Sequence, residues 1–281
     1  MTRKLRRGEN RLGHEGLALL RLRNADDATV ADAIIGEIRA LLATLDDEEN
    51  RAELDYPVLD ANTGYARWAR VYDSLDNPVV AHEGPAMQRI LSASPGDPVL
   101  DAACGTGRHL AFLESIGRRA IGVDQSDAML AEARTKTAGA DLRQGDLEAL
   151  PLDAGEVAGA VCSLALDHVA NLDAAFGELQ RVVAPAGWIA VSVMHPVMRN
   201  LLGWSAWFED DGGRAEVVSH HHEVSDYVNA ALGVGLELVE AHEIPLAPEA
   251  VAAMQRPSTP VGSVVALTGL PLILVLRFSR R

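Results

Sequence analysis

The chain has 281 residues, 48% of them apolar, enough to bury a full core as one large domain with an extension or as two small ones. Its 40 carboxylates outnumber its 25 Lys and Arg residues, for a formal charge of -15. A surface that acidic repels a phosphate backbone, so nucleic acid is not the expected partner. Cys104 and Cys162 show neither C-x-x-C nor metal-ligand spacing. They read as buried free thiols of a reducing compartment, and no metal site is expected. The longest apolar run, Val264 to Leu276, is interrupted by Gly269 and Pro271 and is too short to span a bilayer. No membrane insertion and a cytoplasmic location are therefore expected.

In chain order, the first eleven residues carry five cations and read as a disordered basic tail, with irregular structure to about residue 24. Asp26 or Asp27 can cap a helix whose apolar face is Val30, Ile34, Ile38, Leu41 and Leu45. The segment "GYARWARVYD" places Tyr65, Trp68 and Tyr72 at helical spacing. Residues 1–64 are expected to form a tail and a helical extension or lid. Its apolar stripe needs burial, in this chain or in a homodimer. Residues 65–281 are expected to form the main domain.

From Pro98 the pattern changes. "PVLDAA", "RAIGVD", "ADLRQGD", "VAGAVCSLAL" and "GWIAVSVMHP" read as strands alternating with helical segments, and "LELVEAHEI" and "LILVLRFS" supply two more. Apolar strands without strict alternation indicate a doubly wound, mostly parallel seven-stranded sheet with helices on both faces, an α/β fold. In such sheets ligands bind beyond the carboxyl ends of the strands, beside the first one. That places "DAACGTG", Asp101 to Gly107, at the expected site. Gly105 and Gly107 allow close backbone approach, but no G-K-[ST] follows and Leu110 replaces a third glycine. Asp101 repels a pyrophosphate and favours an ammonium group. Asp124, at the end of the second strand, can accept both hydroxyls of a ribose. The implied ligand has a ribose, a positive amine and no phosphate.

With "VLDAACGTG", "AIGVDQSDAMLAEAR" and "QGDLEALPLDAGEVAGAVCSLALDHVANLDAAFGELQRVVAPAGWIAVSV", residues of about 65–195 resemble the class I S-adenosylmethionine-dependent methyltransferases. Among these they look like the ubiquinone/menaquinone-type small-molecule group. The resemblance implies S-adenosyl-L-methionine as cofactor and assigns roles along the chain. Asp101, Ala103, Gly105 and Gly107 would lie at the methionine end, with Ala103 standing where many relatives have glycine. Asp124 would bind the ribose with Gln125 beside it, and Met129 would pack near the adenine. Asp146 and Leu147 would meet the adenine amino group and ring. Ser163 and Leu164 would lie against the methionine moiety, and Tyr72 would close over the cofactor.

A sulfonium methyl is already activated, so a base is needed only for an acceptor with a proton of high pKa. The candidates follow the fifth strand. His195 ends that strand, and "HHH" at 220–222 precedes a helix containing Tyr227, so His195, His221 or His222, and Tyr227 are the candidate catalytic groups. Trp204, Trp207 and Phe208, in a substrate-capping insert at about 196–224, are expected to form an apolar wall for the acceptor. The expected function is methyl transfer to oxygen or carbon, ahead of nitrogen, of a small metabolite. A non-methylating rearrangement and a non-catalytic binding module are the alternatives.

Overall fold

The computed structural model describes residues 4–24, 28–74, 77–254 and 260–281. The expected caps Asp26 and Asp27 lie outside the described residues. Three helices come first: α1 (Arg7–Arg21), α2 (Ala28–Ala43) and α3 (Glu48–Arg51). Next come β1 (Val58–Leu59), α4 (Ala61–Trp68), a 3₁₀ turn at Tyr72–Ser74 and α5 (Pro78–Ala93). The alternating region follows as β2 (Val99–Ala102), α6 (Arg108–Ser115), β3 (Ala120–Asp124), α7 (Asp127–Lys136), β4 (Asp141–Gln144), β5 (Val157–Ser163), α8 (Leu172–Val182) and β6 (Val183–Met194). A hairpin, β7 (Trp207–Asp210) and β8 (Gly213–Val217), precedes α9 (Val224–Gly233) and β9 (Leu236–Pro245). The chain ends with α10 (Pro248–Met254), α11 (Val261–Leu267) and β10 (Pro271–Arg280). Among the described residues no helix is long and apolar enough to cross a membrane.

Two compact units result: residues 1–56 with 245–270, and residues 57–244 with 271–281. The division thus falls at 56/57 rather than at 64/65, because α4 and the segment before it belong with the sheet-containing unit.

In the first unit α1 corrects the expectation of an irregular basic start. The Glu9 carboxylate accepts from the Arg6 backbone N–H at 3.1 Å, which satisfies one open donor at the helix start. Arg21 at the other end donates to the carbonyls of Ala266 (2.8 Å) and Thr268 (2.6 Å). Ala18, Ile34 and Ala266 form the centre of this unit, with Val30 and Ile38 packed around them. The partner of α1 is therefore α11, some 240 residues later in the chain, which local periodicity does not reveal. The Val264–Leu276 run is divided between α11 and β10.

In the second unit the sheet order is β4-β3-β2-β5-β6-β10-β9. Strands β2 to β6 pair in parallel and β10 runs antiparallel to β6. The strand order reverses at β2, between β3 and β5, so a crevice opens at their carboxyl ends. Leu100 and Ala102 of β2 face α8 and α9, where Phe176, Leu179, Tyr227 and Ala230 complete the main core. Asp101, one residue out of phase, faces the opposite side with Glu83 of α5 and His109 of α6. The cap of α9 is Glu223, bonded reciprocally with Asp226.

The 196–224 insert contributes β7 and β8 to a second sheet of order β1-β8-β7, which β1 completes. Phe208 is fully buried and stacks on Trp68 of α4, ring centroids 5.4 Å apart and 21° from parallel. Arg67 of α4 forms an ion pair with Asp210 of β7. The insert is thus a platform that fixes α4. Trp204 and Trp207 do not line the cavity described below, and Trp207 is exposed beneath the Arg214 guanidinium.

Within the first unit Glu15 of α1 is buried, and a methyl group on Gly262 would overlap its carboxylate. Burial, then the neighbouring Glu37 carboxylate, push Glu15 up to about 7. Because the folded value exceeds the ordinary 4.5, the stabilisation is complete below pH 4.5 and is lost as pH rises through about 7. Urea unfolding is expected to show this unit weakening by on the order of 1–3 kcal/mol between pH 5 and pH 8, and Glu15→Gln is expected to flatten that dependence.

Candidate functional site

The turn after β2 takes a left-handed course, with φ of 60° at Ala103, 54° at Gly105 and 82° at Gly107. Glycine has no Cβ penalty there, and the alanine carries modest strain. Two bonds to one carboxylate hold the turn. Gly105 N–H donates to Asp124 Oδ2 and Ser126 N–H donates to Asp124 Oδ1, each at 2.8 Å. Asp124 thus ties the turn after β2 to the start of α7. Gly107 does separate work: a Cβ there would stand 3.0 Å from the Ala133 Cβ, so it lets α6 approach α7.

A cavity of about 290 Å³ opens against this turn. Of the residues named from the sequence, Ala103, Gly105, Asp124, Gln125 and Met129 line it from β2, β3 and α7. Asp146 and Leu147 line it from the segment after β4, Ser163 and Leu164 from the end of β5, and Tyr72 from the segment after α4. Asp101 and Gly107 lie behind this surface. The structure thus gathers ten of the twelve named residues onto one cavity, whose lining does not include Asp101 and Gly107.

Asp101 is the electrostatic anomaly. It is 1% exposed, and neither carboxylate oxygen has a hydrogen-bond partner among the described residues. Burial pushes its carboxyl up to about 6, against the pull of His109 and Arg108. Its neighbour Glu83 is fully satisfied instead, by Arg108 (2.7 Å), His109 (3.3 Å) and Ser192 (2.9 Å). Burial raises Glu83, but the contacts with His109 and Arg108 outweigh it and bring the carboxyl to about 2. The Ser163 hydroxyl on the cavity wall is a second buried polar atom without a partner among the described residues. Burial raises both cysteine thiols, Cys104 and Cys162, which makes them poor nucleophiles.

The residues expected to supply a base stand elsewhere. His195 is buried, with Nε2 on Glu243 (3.2 Å) and Nδ1 accepting the Val197 N–H (3.1 Å), and it does not line the cavity. His222 bonds the Val169 carbonyl (2.8 Å) and lines a separate shallow depression. His221 bonds Asn200 (2.9 Å) on the surface. Tyr227 is 1% exposed and donates to Asp167 Oδ1 at 2.7 Å, while Arg199 holds the other oxygen at 3.0 Å. Besides the residues named for the cofactor, the polar groups Tyr65, Glu148, His168 and His220 line the cavity. Tyr65 shared a helical face with Trp68 and Tyr72 in the sequence, and His168 follows the strand VAGAVCSLAL, so a signal existed for both.

Because the Tyr227–Asp167–Arg199 unit is structural, Tyr227→Phe is expected to cost about 1–2 kcal/mol of stability. Asp167→Asn, which leaves Arg199 buried without its counter-charge, is expected to cost about 3–5 kcal/mol. Shifts of the urea midpoint measure both.

Residues 100–191 match the family model described as a methyltransferase domain. The chain is 32% identical over 172 residues to the malonyl-[acyl-carrier protein] O-methyltransferase of Pectobacterium atrosepticum, covering 61% of this chain and 67% of that protein. It is 31% identical over 217 residues to an uncharacterized methyltransferase of Emericella nidulans, covering 62% of this chain and 75% of that one. Other curated relatives are spanned less fully: the chain covers 55% of the Yersinia pestis malonyl-[acyl-carrier protein] O-methyltransferase. An S-adenosylmethionine-dependent methyltransferase from Mesorhizobium loti shares the fold, with a TM-score of 0.57, 23% identity and coverage of 73% of this chain and 100% of that one. With the strand order, the glycine turn and the cavity in agreement, the chain belongs to the class I S-adenosylmethionine-dependent methyltransferases.

Proposed function

We propose that this protein transfers the methyl group of S-adenosylmethionine to an oxygen atom of a small organic molecule. The observation that carries the reading is Asp101, a buried carboxylate with two unpartnered oxygens behind a glycine turn at the sheet's switch point. Such a group is costly unless a cation completes it, and an amino group supplies that cation. The cavity residues fit the rest of the molecule. Asp124 would take the ribose hydroxyls with its remaining lone pairs, Gln125 beside it. Met129 and Leu147 offer apolar surface to the adenine, Asp146 an acceptor to its amino group, and Tyr72 a cover. Ala103, Gly105, Ser163 and Leu164 line the path of the methionine chain.

When bound, S-adenosylmethionine supplies a methyl carbon already activated by its sulfonium. The protein's own contribution is to hold the acceptor in line with it and keep water out. Oxygen as the accepting atom is supported by the O-methyltransferase relatives. Those relatives give no support to the narrower ubiquinone/menaquinone-type placement.

Titration calorimetry is expected to show S-adenosylmethionine affinity rising by up to about tenfold per pH unit as pH increases towards 6 and levelling off above it, because the ammonium requires ionised Asp101. Asp101→Asn is expected to weaken binding at least about tenfold and to remove that pH dependence. Asp124→Ala, which frees the turn as well as the ribose site, is expected to weaken it more. Unchanged binding in both variants contradicts the assignment.

A further inference from the structure

One wall of the cavity belongs to none of the cofactor assignments. It is formed by Tyr65 of α4 and by His168, in the 3₁₀ turn Leu166–His168 after β5. Tyr65 Oη and His168 Nε2 are 2.8 Å apart, and His168 Nδ1 is 2.6 Å from the Val218 carbonyl oxygen. A carbonyl only accepts, so Nδ1 carries the ring proton. In the neutral ring Nε2 then has only a lone pair, and the Tyr65 hydroxyl donates to it. The Tyr65 oxygen is left with lone pairs facing the cavity and no proton to offer. Packing fixes this orientation: Tyr65 stacks on Trp68 (5.6 Å, 9° from parallel) and meets the His168 ring edge-on (5.2 Å, 84°). Burial holds the His168 imidazole below its usual value and holds the Tyr65 phenol well above its own, so both are neutral near pH 7.

The charges around this wall are one-sided. Asp124, Asp146 and Glu148 line the cavity, and no Lys or Arg does so among the described residues. Arg199 and His220 are the basic groups whose charge reaches His168, and Asp167 already pairs with Arg199 at 3.0 Å. An anionic acceptor, such as the carboxylate of a malonyl group, would find no Lys or Arg of the described residues lining this cavity, while the Asp124 charge reaches the Tyr65 phenol.

We propose that Tyr65 and His168 form the acceptor subsite, and that it selects a small molecule whose accepting oxygen carries a proton, an alcohol or a phenol, over one that presents a carboxylate. This rests on the methyltransferase reading above and narrows its substrate. The acceptor O–H donates to Tyr65 Oη. As the new O–C bond forms, the O–H bond breaks and its electron pair stays on the acceptor oxygen. The acceptor's proton passes to the Tyr65 oxygen, and the Tyr65 proton passes to His168 Nε2. The pair that bound the methyl carbon stays on the departing sulfur. One positive charge enters on the sulfonium and one leaves on the imidazolium, which the Val218 carbonyl supports. Tyr65 is the catalytic residue and His168 its positioning partner.

The test uses the full chain labelled with ¹⁵N at histidine, saturated with S-adenosylhomocysteine, and titrated at pH 7 with phenol and separately with sodium benzoate. Phenol is expected to bind at least about tenfold more tightly than benzoate and to move the His168 Nε2 resonance, whereas benzoate leaves that resonance in place. Tyr65→Phe, which keeps the ring stack, is expected to abolish the phenol preference and the resonance shift while S-adenosylhomocysteine affinity stays within about threefold. Benzoate binding as tightly as phenol, or a phenol response indifferent to Tyr65→Phe, would overturn the proposal. Failure of S-adenosylhomocysteine to bind the wild-type chain would instead overturn the methyltransferase reading beneath it, and it is read before any probe is added.

Discussion

The site depends on one carboxylate. Asp124 ends β3 and accepts backbone N–H groups from two different places, the turn after β2 and the start of α7. Without it the left-handed turn at Ala103–Gly107 would have an unpaired amide and no anchor to its neighbouring strand. With it, the turn lies open against the cavity, which the same carboxylate also lines. Burial raises the carboxyl of Asp124, and the Ser126 and Gly105 amides pull it back. A ligand hydroxyl would complete the same balance.

A second layer supports the first. Asp101 and Glu83 are buried on the same side of the sheet but are treated differently: Glu83 has Arg108, His109 and Ser192, and Asp101 has none of these as hydrogen-bond partners. Three donors spent on one carboxylate and none on its neighbour is a costly arrangement for an empty protein. It makes sense if the unpartnered group waits for a cationic ligand. The hydrogen-bonded frame of Tyr227, Asp167 and Arg199 plays the supporting role on the other side, fixing the turn that carries His168.

Much of this was legible in the sequence. The strands, the glycine turn and the carboxylates at Asp101 and Asp124 follow from local patterns, because each lies at a strand end that an apolar run marks out, whereas Asp146, after the polar strand β4, came from the family resemblance. What failed was whatever depends on distant partners. Arg7–Arg21 looked irregular because its covering helix α11 comes from the other end of the chain. Trp204, Trp207 and Phe208 looked like a substrate wall because composition does not say which side of a hairpin faces inward; Phe208 instead stacks on Trp68. His195 looked catalytic from its place at the end of β6, yet Glu243 and the Val197 amide occupy both ring nitrogens. Tyr65 and His168, 103 residues apart, are joined only in the folded chain.

The central claim is that a turn held by Asp124, with an unpartnered Asp101 behind it, recognises a cationic nucleoside without phosphate. The most direct measurement is titration calorimetry of the full chain at pH 7 with S-adenosylmethionine and, separately, with NAD⁺. Saturable binding of S-adenosylmethionine at one site per chain, with no heat from NAD⁺, is the predicted result. Binding of NAD⁺ with none of S-adenosylmethionine would contradict it.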